Sequence, residues 1–144
     1  MTALRRFLAG LSIIIGASAI GGAMFAVPTL PDSEIEGTIF RSYLVPGLAL
    51  ALLVGVPLVN AGLLLGRDHE LAAPATIAAG IALVIFEIVE ALTIGLANLL
   101  QPLMFVVGAL IALGAFWLWW EETSTEAADA EWLGGHPNIR MHIR

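Results

Sequence analysis

Cysteine is absent from the 144 residues. That excludes disulfides, thiolate metal sites and the quinone-linked thiol chemistry that some four-helix membrane enzymes perform. Lysine is absent as well, so all six basic residues are arginine. Charge of either sign is scarce, 12% of the chain against about 25% in a soluble domain. The formal net charge of −6 excludes a nucleic-acid partner. The three histidines, His69, His136 and His142, lie outside every apolar run, which leaves no haem pair. No Walker loop, Ser-His-Asp set or metal-ligand spacing is present, so no cofactor, metal or enzyme activity is expected. What the chain has in quantity is apolar surface. Hydrophobic residues make up 59% of it and the mean hydropathy is +0.93, which makes the lipid bilayer its expected surroundings.

Four apolar runs predict an all-α, four-helix transmembrane bundle, with spans at about 7–27, 42–65, 71–98 and 102–120 and a polar, flexible tail over 121–144. The first run is about 30 Å long as a helix, the thickness of the hydrocarbon core. Its Ala17/Gly21 and Ser18/Gly22 pairs have the spacing that lets helices approach closely. Ala17-Ser18-Ala19 would also suit a signal peptidase, but the run is longer than an ordinary signal core. Pro28 to Arg41 reads as a loop, in which Ser33 and Glu36 have capping-box spacing. In the second span, Pro57 should bend the helix and Gly55 should relieve the crowding. His69, in the turn Gly66–Glu70, reads as a solvated side chain. Phe116, Trp117, Trp119 and Trp120 close the fourth span as an interfacial belt. Arg5, Arg6, Arg67, Arg140 and Arg144 fall on one side of this plan and Arg41 on the other. Both termini are therefore expected in the cytoplasm.

The third span carries the feature that needs an explanation. Glu87 and Glu90 sit inside it, where a carboxylate costs roughly 2.5–3.5 kcal/mol on insertion scales. At 100° per residue the two lie about 60° apart, sharing a stripe with Thr76, Gly80, Asn98 and Gln101. Ile85, Val89, Leu92, Leu96 and Leu99 occupy the lipid side. Both glutamates are expected to face the second and first spans, with Gly21 and Gly22 giving room. Arg41 or Tyr43 could reach Glu90 from the start of the second span. The carboxylates then either lock the bundle structurally or hold one proton between them and pass it on. Asn60 and Thr76 are expected to hydrogen-bond between the second and third spans.

From the second span onward, Tyr43-Leu44-Val45-Pro46-Gly47-Leu48-Ala49-Leu50 resembles the YLxPGLxL opening of a group of small bacterial four-helix membrane proteins without an assigned activity. Asn60, Glu90 before Ile94-Gly95, and the run Leu100 to Phe105 (LQPLMF) continue the likeness, which covers roughly residues 41–118. Glu87 departs from the pattern, being usually apolar in that group. The resemblance implies the same topology in a bacterial inner membrane. Two functions stay open: a structural or accessory subunit, as a homo-oligomer or within a larger membrane complex, or a proton-coupled carrier or ion-conducting protein using the two carboxylates.

Overall fold

A computed structural model describes residues 2–29, 42, 44–96 and 99–135, and these are all-helical, with no strand among them. Helix α1 spans Ala3–Thr29; α2, Leu44–Ala49, runs through a π-helical segment, Leu50–Gly55, into α3, Val56–Gly66. Helix α4 covers Ala72–Ile94 and α5 covers Leu100–Gly135. Among the described residues, four stretches are long and apolar enough to cross a membrane: Ala3–Phe25, Leu44–Gly66, Ala72–Thr93 and Leu100–Ala127. The chain thus has the form of a multi-pass membrane protein. Arg41, Tyr43, Asn98, the Ser33/Glu36 pair and the residues after Gly135 lie outside the described residues.

Without a hydrophobic force to press helices together in lipid, close backbone approach has to supply the packing. Glycine does so at two crossings. A Cβ on Gly16 would sit 2.7 Å from the Gly55 carbonyl, and one on Gly62 would sit 2.7 Å from the Ala9 carbonyl, so α1 lies directly on the second span. A Cβ on Gly80 would sit 2.8 Å from the Gly108 carbonyl, which joins α4 to α5. Gly55 therefore serves the α1 crossing. Gly21 and Gly22, expected to make room for the glutamates, are exposed, and a Cβ on either would meet nothing within 4 Å. Ala17 and Ser18 are exposed beside them.

Pro57 disturbs the second span in a specific way. It has no N–H to donate, and its ring crowds the carbonyl one turn back. The chain answers by widening the preceding turns into the π segment, where the Val56 N–H reaches the Ala51 carbonyl five residues back. Pro57 itself then stands in the first turn of α3.

The α4 helix ends at Gly95, earlier than the expected residue 98. There φ is 79° and ψ −179°, a backbone region open essentially to glycine. The segment after Trp120, expected to be a flexible tail, continues as helix to Gly135. Glutamate and alanine dominate it, and no glycine or proline interrupts it before Gly134. Two buried layers fill the interior. One is proximal to the N-terminus (Leu8, Leu65, Ala72, Ala115, Leu118), and the other lies at mid-depth (Val54, Leu58, Leu83, Ile111).

Candidate functional site

The distal end, where α4 turns into α5, holds the glutamate part of the polar stripe, while Thr76 and Gly80 lie toward the other end of α4. Glu87 stands seven residues before Ile94, about 10 Å below the end of its helix. It is only 7% exposed, and its Oε2 is buried without a hydrogen-bond partner. A cleft of about 180 Å³ opens against it, lined by Glu87, Ala91 and Leu96 on one side of the turn and by Gln101, Pro102 and Phe105 of α5 on the other. Glu87 thus borders a cleft shared with α5, a neighbour that wheel geometry gives no means of naming. Glu90 is half-buried on the same side of α4. On α4, Ile85, Val89 and Leu92 are exposed as expected of the lipid side; Leu96 and Leu99, also exposed, lie beyond the end of α4, where Leu96 lines the cleft.

Gln101 shares this cleft from the start of α5. It is buried, and its Nε2 donates to the Gly95 carbonyl at 3.2 Å, tying the new helix to the turn that ends α4. Its place on the glutamate stripe is visible in the sequence, but only if the helix is carried through the turn, and the turn at Gly95 puts it on α5. Phe105 gave no signal of its own.

Asn60 and Thr76 are not brought together. Thr76 is fully buried and its hydroxyl donates to the Ala72 carbonyl at 2.7 Å, the one-turn-back bond always within reach of a helical threonine. Asn60 is exposed on α3. Among the described residues no group of three His, Asp or Glu side chains could hold a metal ion.

A second polar cluster, absent from the sequence-based expectations, closes the proximal end. Arg5, its side chain 13% exposed, reaches Asp68 at 3.0 Å and Glu122 at 2.8 Å, and its Nε also donates to the Leu65 carbonyl. One arginine thereby ties α1, the α3–α4 turn and α5 at a common level. His69 has a definite task in that turn, its Nδ1 accepting the Leu71 N–H at 3.1 Å just before α4 begins. At the same end the rings of Phe116 and Trp119 meet at a tilt of 43° with centroids 5.9 Å apart, Trp117 donates to Glu121, and Trp117, Trp119 and Trp120 are exposed as an interfacial belt requires. Comparison with known proteins finds no matching family model, no matching curated protein and no matching solved structure.

Proposed function

We propose that the chain is a carrier-type protein of the bacterial inner membrane, akin to the YLxPGLxL group in topology, that takes up a proton or small cation at Glu87 from the distal end. The observation that carries this reading is the buried Oε2 without a hydrogen-bond partner, in a residue that lines a cleft. A structural lock needs its carboxylate satisfied, since a buried charge without a partner weakens a fold. The mid-depth layer favours a carrier over an open channel. Val54, Leu58, Leu83 and Ile111 close the interior below Glu87. Val54 lies in the π segment and Leu58 follows Pro57, so movement at this irregular stretch would shift the layer. The test is proton flux in liposomes holding the purified protein. Flux should be measurable for the native chain and fall to background in Glu87→Gln. Equal flux in the two proteins, or none in the native one, overturns the reading.

The accessory reading has its own support. Asn60 is exposed on an apolar span, and the small-residue face Ala17, Ser18, Gly21 and Gly22 is uncovered. An oligomer or partner helix would cover both. Native mass spectrometry of the detergent-solubilised protein should then show a defined assembly, and a clean monomer with nothing copurifying counts against it.

A further inference from the structure

We propose that the cleft beside Glu87 is a binding site for a small lipophilic amine in its protonated form, an inference that rests on Glu87 being the working residue and adds to it the class of ligand. Glu87 lines the cleft, and its carboxylate carries a buried Oε2 with no hydrogen-bond partner. An acceptor of this kind calls for a charged N–H donor, which makes the stronger class of hydrogen bond. An anion is repelled. A hydrated metal ion is not served either, because it needs several oxygen ligands to replace its water, and no cluster of three acidic or histidine side chains exists among the described residues. A bare proton would satisfy the carboxylate but leave the cleft empty.

The remaining wall decides the rest of the ligand. Ala91, Leu96 and Pro102 are apolar and Phe105 offers an aromatic ring, so water gains little there. A cavity of about 150 Å³ suffices for benzene, so one of about 180 Å³ takes a single ring or short branched chain with an amino group. Phe105 can receive such a cation on its ring face while Glu87 accepts its N–H.

Benzylamine is a suitable probe, with benzyl alcohol as its neutral match, in isothermal titrations of the full chain in detergent. Benzylamine should bind about ten- to a hundredfold more tightly, the worth of a charge-assisted hydrogen bond. Glu87→Gln should remove that preference, and Ala91→Leu, which fills the cleft and leaves the carboxylate in place, should weaken both ligands. A thermal melt checks that each variant is folded. Equal affinity for amine and alcohol, an undiminished preference in Glu87→Gln, or full affinity in Ala91→Leu overturns the proposal. Amine binding without proton flux would sink the carrier reading and leave the site standing. Glu87-dependent flux without amine binding would do the reverse.

Discussion

Glu87 occupies a place where its charge works against the fold. Its Oε2 is buried with no hydrogen-bond partner, and a hydrocarbon-facing bundle offers no compensation. Glu87→Gln keeps the shape and removes the charge. Its melting temperature in detergent should therefore equal or exceed the native value, a trade of function for stability. A loss of several kcal/mol would instead mark a lock whose partner the variant strands. Arg5 is the opposite case, a charge with partners on three sides. Asp68 and Glu122 are substantially exposed, so solvent screens both pairs. Arg5→Gln should cost about 1 kcal/mol at low salt, with a smaller difference at high salt. The same difference at both ionic strengths would remove the electrostatic account. Glu87 is legible in the sequence because a carboxylate in an apolar run has no neutral explanation. The partners of Arg5 are not, because Leu65 and Glu122 lie 60 and 117 residues away and only packing brings them near.

Helices in lipid are held by fit, so the glycines at the crossings matter more than those on the free face. Within α1 the contrast is direct. Gly16→Ala drives a methyl into the Gly55 carbonyl and the backbone of Val59, whereas Gly21→Ala meets open space. The first should destabilise by about 1–3 kcal/mol and the second should be neutral or slightly stabilising, as alanine favours helix over glycine. Urea or thermal unfolding of both variants in one detergent would decide this, and equal stabilities would mean that α1 does not cross the second span at Gly16. The sequence shows the small-residue spacing but cannot rank the pairs: Ala17/Gly21 and Ser18/Gly22 carry the motif, yet the contacts fall on Gly16, Gly55 and Gly62. Proline at 57 predicts a disturbance, whereas its form depends on how neighbouring turns relax. The widened π segment spreads it over residues 50–55. The end of α4 was available from Ile94-Gly95, a C-terminal signal overridden by the apolar run that continues past it.

At the scale of the whole molecule, α5 is too long for the bilayer. Its 36 residues extend about 54 Å, against a core of about 30 Å, so its last turns project beyond the tryptophan belt into water. The side on which they are expected to emerge follows from charge. Arg5 and Glu122 are paired, so the start of α1, the α3–α4 turn and the projecting part of α5 share one end of the bundle. Arg5, Arg6 and Arg67 all belong to that end, and arginine near span ends is retained in the cytoplasm. Acidic residues weigh little in this rule, so Glu121, Glu122 and Glu126 do not reverse it. Reporter fusions after Arg67 and after Arg144 should both read cytoplasmic, and a fusion at Glu36 should read external. A cytoplasmic reading at Glu36 would invert the molecule and turn the Glu87 cleft toward the cell interior. Replacing Arg5, Arg6 and Arg67 together by glutamine should weaken the bias and yield mixed orientations, because only Arg140 and Arg144 would then favour this orientation, against Arg41. A single orientation retained by that triple variant would show that these three arginines are not what sets it.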